Sequence, residues 1–208
     1  MEYHYFIKGM VIGFSIAAPV GPMGILTIQR SLSHGVGAGL ATGLGAATAD
    51  AFYGCVAGFG LAFISGLLFK YQTWILFIGG LFLCGLGLST LKRPASEKKQ
   101  EPIFKGYLFS YFSALFLTLT NPMTIMAFMA IFAGLGLGAS GKDYPSALTL
   151  VIGVFTGSCV WWLILASGVG LLGQKLTTRF QKFINKASGT VLMLFGIWAL
   201  ISLMPENW

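Results

Sequence analysis

Residues 35–53, GVGAGLATGLGAATADAFY, decide the architecture of this chain. Gly35, Gly39, Gly43 and Ala47 recur at intervals of four residues, which places them on one face of a helix. Small residues at that spacing let helix backbones approach closely, as is typical of helix contacts inside membranes. Since the stretch offers no polar face to water, it predicts a transmembrane helix packed against other helices.

The composition supports the same class for the whole chain. Of its 208 residues, 56% are hydrophobic and only 9% are charged, against about 25% charged in soluble domains. The apolar segments are continuous and long enough to cross a bilayer as helices, without the alternation of a barrel. We therefore predict an all-α integral membrane protein.

The apolar segments predict six transmembrane helices, over residues 6–28, 36–69, 73–91, 107–137, 147–172 and 187–204. The polar stretch 92–106 divides the chain into a first three-helix repeat, residues 1–91, and a second, residues 107–208. We read this stretch as a basic cytoplasmic linker.

The basic residues predict the orientation. Ten of the thirteen Lys and Arg fall on one side of the six predicted spans. They are Arg30, Lys92, Arg93, Lys98, Lys99, Lys105, Lys175, Arg179, Lys182 and Lys186. The positive-inside rule makes that side cytoplasmic, so both termini are expected on the periplasmic face of the inner membrane. The net charge of +7 thus indicates orientation, and we expect no nucleic-acid partner.

The two halves share a short motif. Gly21-Pro22-Met23 in the first span recurs as Asn121-Pro122-Met123 in the fourth. Three spans per half is an odd number, so two such repeats would enter the membrane in opposite senses. Secondary transporters often have inverted repeats with the substrate site between them. Chance recurrence of Pro and Met in apolar helices is the alternative.

Asp50 is the one acidic residue inside a predicted span. A carboxylate at the centre of a membrane helix costs about 2.5–3.5 kcal/mol on insertion scales, and such residues usually belong to ion or substrate paths. Small neighbours on the same face, such as Ala46 and Gly54, predict that Asp50 faces protein or a cavity. The alternative is a structural acid bonded to broken helix backbone.

Prolines predict breaks in the first and fourth spans. Pro19 and Pro22 block helix bonds to Ser15 and Ala18, and Pro122 blocks the bond to Thr118. Gly21-Pro22 and Asn121-Pro122 can each start a new half-helix. Its N–H groups suit a carboxylate and the freed carbonyls suit a cation, so both breaks are candidates for substrate binding. Plain proline kinks are the alternative.

Aromatic residues near Asp50 give a further candidate surface. A pocket that attracts an ammonium group by cation–π contact could be lined by Phe52 and Tyr53 near Asp50 and by Trp161-Trp162 in the fifth span, although aromatic residues in membranes more often serve packing. Cys55, Cys84 and Cys159 lack metal-ligand spacing, so no metal site is expected. Enzyme motifs are missing, and we predict neither catalytic residues nor a cofactor.

Three motifs together resemble the LysE-type (lysine exporter, RhtB-like) amino-acid exporters. They are APVGPMG at residues 18–24, GLATGLGAATADAFY at residues 39–53, and Asn121-Pro122. The resemblance covers nearly the whole chain. The family often has Pro-Gly-Pro where this chain has Pro-Val-Gly-Pro, a Gly at the position of Ala49, and a Lys at the position of Met123. The missing lysine bears on the identity of the substrate and not on the class of protein.

The resemblance implies export of amino acids driven by a proton or ion gradient. In our hypothesis Asp50 binds the substrate amine or a proton in alternation, while the two breaks hold the carboxylate and gate access. A passive channel, an exporter of another solute such as a metal ion, and a membrane chaperone are the rival interpretations. Membrane lipid and a small-molecule substrate are the expected partners, and the helix number allows a homodimer.

Overall fold

The computed structural model describes residues 2–19, 21–58, 70–92, 103–121, 124, 127–128, 144–173 and 178–203. Throughout these residues the regular structure is α-helical, which confirms the predicted class. The helices are α1 (Glu2–Ala17), α2 (Pro22–His34), α3 (Val36–Gly58), α4 (Gln72–Lys92), α5 (Ile103–Leu119), α6 (Tyr144–Gly173) and α7 (Thr178–Ile201).

Long apolar helices make this a multi-pass membrane protein. In the described part of the chain, α4, α6 and α7 each contain a stretch long and apolar enough to cross a bilayer alone. The α1–α2 pair qualifies as a fourth crossing if it is taken as one broken span, bent by 80°. The predicted second and fourth spans continue into residues 59–69 and 129–137, which lie outside the described residues.

The bundle is built around α3 and α6. Helix α1 packs along α6, α5 packs along α3, and α3 and α6 pack on each other. Glycines allow these contacts to be close: a Cβ at Gly13 would collide with the backbone of Val154, and one at Gly45 with the backbone of Tyr111. Small residues of α3 therefore allow other helices to approach closely, as this stretch of sequence predicts.

Helices α4 and α7 form a second close pair. Gly87 and Gly189 face each other, so that a Cβ on either residue would lie 2.9 Å from the other's carbonyl oxygen. Gly80 and Gly196 meet in the same way farther along. Large apolar side chains such as Trp74 cover the outer surface, as expected for a lipid-facing helix.

Helix α2 lies in the interior of the bundle. It packs against α3, α6 and α7, and it buries Met23, Leu26, Thr27, Gln29 and Arg30 among its residues. Gly35 joins it directly to α3 with φ of +88°, a left-handed conformation that favours glycine.

The last helix begins earlier than predicted. Helix α7 starts at Thr178, whereas the apolar pattern placed the start of the span at residue 187. Its first turns expose Lys182 and Lys186 but bury Asn185. The segment is therefore an amphipathic extension of the helix, and a search for continuous apolar residues passes over it.

Candidate functional site

Asp50 lies inside the bundle, where α3 and α6 cross. Its side chain is only 3% exposed. Close approach of the two helices requires a glycine two helical turns before Asp50, because a Cβ at Gly43 would collide with the Trp162 side chain. The expectation that Asp50 faces protein agrees with this burial.

Two side chains of α6 form a hydrogen-bonded chain that ends at the carboxylate. The Ser158 hydroxyl donates to Asp50 Oδ2 at 2.6 Å, and Trp162 Nε1 donates to the Ser158 Oγ at 3.1 Å. Ser158 is fully buried. Ser158 and Trp162 are four residues apart, so they stand one above the other on the same helix face.

The partners of Asp50 are neutral. In the part of the chain that the structure describes, no lysine, arginine or histidine forms an ion pair with it, and no group of three metal-ligating side chains occurs. A carboxylate charge held in apolar surroundings by neutral donors is costly. A proton or the ammonium group of a ligand would neutralise it, which is the chemistry that the site can offer.

Tyr53 connects the Asp50 region to the second break. It lies three residues after Asp50 on α3 and is buried. Its hydroxyl donates to the carbonyl of Leu119, the last residue of α5, at 2.6 Å. Its ring packs against Phe128 with the centroids 5.7 Å apart. Tyr53 thus holds the end of α5 and the chain beyond the break to α3.

The first break occurs where the prolines predict it. Helix α1 ends at Ala17, and α2 begins with Pro22 at its first position after an extended Gly21. Pro19 is exposed in the connection, and Gly21 and Pro22 are half-buried. Within the described part of the chain, no side chain caps the start of α2. Unpaired N–H groups in the first turn of a helix suit a carboxylate or another anion.

The break lies against the same apolar cluster as the Asp50 network. Ala17 before the break and Met23 after it pack with Ala47 and Trp162. The structure therefore brings the first break close to the α6 side chains that bind Asp50.

The second break differs from the predicted one in a hydrogen bond. Helix α5 ends at Leu119, as the Asn121-Pro122 motif predicts, but the Thr118 carbonyl is not left open. The Asn121 N–H donates to it at 3.1 Å, and the Thr124 N–H donates to the Asn121 carbonyl at 3.1 Å. The chain closes the gap with a tight turn of its own. Pro122 lies outside the described residues.

The two neighbouring tryptophans have different positions. Trp161, the expected site residue, packs edge-on against Phe14 of α1 with the ring centroids 5.4 Å apart. Trp162 is the one that donates into the Asp50 network. The sequence pointed to the ring of Trp162 as well as that of Trp161, but it did not indicate Ser158 or the donor role of the Trp162 indole N–H. Their spacing of four residues, opposite an acid, was the available signal.

The sequence model of the LysE type translocators matches residues 14–203. The chain belongs to the LysE type translocator family. The match takes in both breaks, Asp50 and the α6 side chains that bind it. No solved structure matches this LysE-type chain.

Curated relatives match most of the chain. A Bacillus subtilis protein, YcgF, named provisionally as an amino acid efflux protein, is 26% identical over 93% of both chains. The homoserine/homoserine lactone efflux protein of Salmonella typhimurium is 24% identical over 94% of this chain and 96% of its own. YahN, an uncharacterized membrane protein of Escherichia coli, is 27% identical over 83% of this chain and 78% of its own.

Proposed function

We propose that this protein is a secondary active exporter of amino acids or related small metabolites across the bacterial inner membrane. One observation carries the proposal: Asp50, a buried membrane carboxylate, is bound only by neutral side chains of the described residues. The family match supports transport. The names of the relatives from Bacillus and Salmonella favour an amino acid as the substrate.

The proposed architecture is a pair of inverted three-helix repeats, residues 1–91 and 107–208, joined by the linker 92–106. The packing favours it. If the α1–α2 pair corresponds to α5, α3 to α6, and α4 to α7, then the α1–α6 contact corresponds to α5–α3. The α3–α6 contact and the α4–α7 contact each join a helix to its own counterpart, so exchanging the two repeats leaves both contacts in place. Under this correspondence the bond from Ser158 to Asp50 joins the two repeats at their centre.

The proposed mechanism is alternating access with exchange at one carboxylate. A proton and a substrate ammonium group each neutralise Asp50, and they cannot occupy the same oxygen together. Release of one as the other binds couples export to a proton gradient without a second ion site. The uncapped start of α2 supports an interaction with the substrate carboxylate, since helix N-termini attract anions. With both termini external, the polar linker 92–106 faces the cytoplasm.

Counterflow in proteoliposomes tests the proposal. Proteoliposomes loaded with an unlabelled amino acid should accumulate the same amino acid in labelled form from outside. Repeating the assay with a panel of amino acids identifies the substrate class. Asp50→Asn, which cannot exchange a proton, should abolish the pH dependence of this flux. Asp143→Asn is the matched control, because it makes the same change at an acid outside the predicted spans. Non-saturable flux in the wild-type protein would indicate a channel and overturn the exporter.

A further inference from the structure

Arg30 is buried in the bundle, although the sequence assigns it to a cytoplasmic loop. It lies on α2 and is only 5% exposed. Its Nη1 donates to the Thr42 hydroxyl at 3.1 Å and to the Ser110 carbonyl at 3.0 Å. Its Nη2 donates to the Ser113 hydroxyl at 2.8 Å. One guanidinium therefore ties α2 to both α3 and α5.

The neighbouring residue binds a different helix. Gln29 Nε2 donates to Asn185 Oδ1 of α7 at 3.3 Å, and the Ser33 hydroxyl donates to the same oxygen at 3.1 Å. Gln29 and Asn185 are both buried. Adjacent residues on a helix point about 100° apart, so α2 is held from two sides. We call Gln29 and Arg30 with Ser113 and Asn185 the polar clamp.

The clamp lies toward the C-terminal end of α2, away from Asp50. Thr42, which binds Arg30, precedes Asp50 by eight residues on α3, or about 12 Å of helix. The clamp bonds reach α5 and α7, and both of those helices belong to the second proposed repeat. Direct packing between α2 and α5 is slight, so the guanidinium forms much of that contact.

Two hydroxyls of α2 beside the clamp are buried without a hydrogen-bond partner among the described residues. They are Thr27 Oγ1 and Ser31 Oγ, and Thr118 Oγ1 on α5 is in the same condition. A buried polar group without a partner is rare in a static core and needs an explanation. Helix faces that periodically meet water, or the polar groups of a substrate, would carry such hydroxyls.

We propose that the polar clamp is the gate at the C-terminal end of α2. In the observed state it closes the route between Asp50 and that end of the bundle. The gate opens when α2 separates from α5 and α7, which breaks the bonds of Arg30 and Gln29 and lets water reach Thr27 and Ser31. Arg30 and Gln29 are positioning residues, and the inference rests on the proposed transport function.

Thiol labelling tests the gate without any substrate. Cys55, Cys84 and Cys159 are first replaced by Ala, and one cysteine is then introduced by Ser31→Cys. With the clamp intact, a membrane-impermeant maleimide should react slowly. Adding Arg30→Gln should raise the labelling rate about tenfold. This corresponds to a loss of about 1.4 kcal/mol in the free energy that favours the closed gate. Arg30→Lys keeps the positive charge but not the forked donors of the guanidinium, so it should raise the labelling rate by less than Arg30→Gln does.

Arg179→Gln is the matched control, since Arg179 is an exposed arginine on α7. It should leave the labelling rate of the Ser31→Cys protein unchanged. An unchanged rate in folded Arg30→Gln protein, or an equal rise with Arg179→Gln, would overturn the gate.

Cross-linking provides a second arm in case Arg30 variants do not fold. The Ser33→Cys/Asn185→Cys pair, bridged by a short bis-thiosulfonate, should stop counterflow, and reduction should restore it. Each single variant should show the same counterflow before and after the reagent is added, because one thiol cannot form the bridge. Undiminished counterflow in the cross-linked protein would disprove the gate. If wild-type protein shows no flux while Arg30→Gln still speeds labelling, the transport proposal fails and the opening of the clamp stands.

Discussion

The Ser158 hydroxyl and Asp50 Oδ2 lie 2.6 Å apart although 108 residues separate them in the chain. The bond joins α6 to α3 at the only acidic residue within the predicted spans. Both groups are buried. Ser158 therefore sets the position of the carboxylate around which the proposed transport cycle is built.

Ser158→Ala should impair transport strongly. The change removes the donor to Asp50, and a hydrogen bond to a charged group contributes about 1.5–3 kcal/mol. We expect counterflow to fall about tenfold or more, with an altered pH dependence. Ser167→Ala is the matched control, at a half-buried serine of the same helix. Equal activity of the two variants would mean that Ser158 has no part in the site.

Trp162→Phe should have a smaller effect of the same kind. It keeps an aromatic ring but removes the Nε1–H that donates to Ser158, a neutral bond that contributes about 0.5–1.5 kcal/mol. Trp161→Phe is the comparison, because Trp161 packs on Phe14 outside this network. Counterflow of both variants, measured side by side, distinguishes the two tryptophans. A larger loss at Trp161 would restore it as the site residue that the sequence favoured.

Gly43→Ala should destabilise the contact between α3 and α6. The added Cβ would overlap the Trp162 side chain, and overpacking of this kind costs about 1–3 kcal/mol. Thermal unfolding in detergent should show a lower midpoint. Gly168→Ala on α6 is the control, since a Cβ there meets open space. A Gly43→Ala protein as stable as wild type would show that the two helices can move apart without loss.

Tyr53→Phe should loosen the second break. It removes the hydroxyl that donates to the Leu119 carbonyl at 2.6 Å while keeping the ring on Phe128. We expect a loss of about 0.5–1.5 kcal/mol in stability, read from the unfolding midpoint, together with slower counterflow. Tyr71→Phe, at an exposed tyrosine, should change neither quantity. A loss of the same size at both tyrosines would assign the effect to the hydroxyl group in general.

The breaks and the buried acid were accessible from sequence because they depend on local chemistry. Proline removes a donor wherever it occurs, so Pro22 starts a helix, and α5 ends just before the Asn121-Pro122 motif. Asp50 was conspicuous because nothing else in its span is charged. The limit of such reasoning appears at Arg30, which hydropathy assigns to a loop. The structure buries it because polar groups of α3 and α5 supply acceptors.

The sequence by itself determined the membrane class, the family, the chain breaks and the ladder of small residues that lets α3 approach its neighbours. These follow from hydropathy and from backbone chemistry within a few residues. Only the tertiary structure decided which side chains meet, namely Ser158 with Asp50, Trp162 rather than Trp161, and Arg30 with Ser113. The physical reason is that such pairs depend on how each helix is rotated and staggered against its neighbour. A helix that is apolar on every face carries no pattern that specifies its rotation.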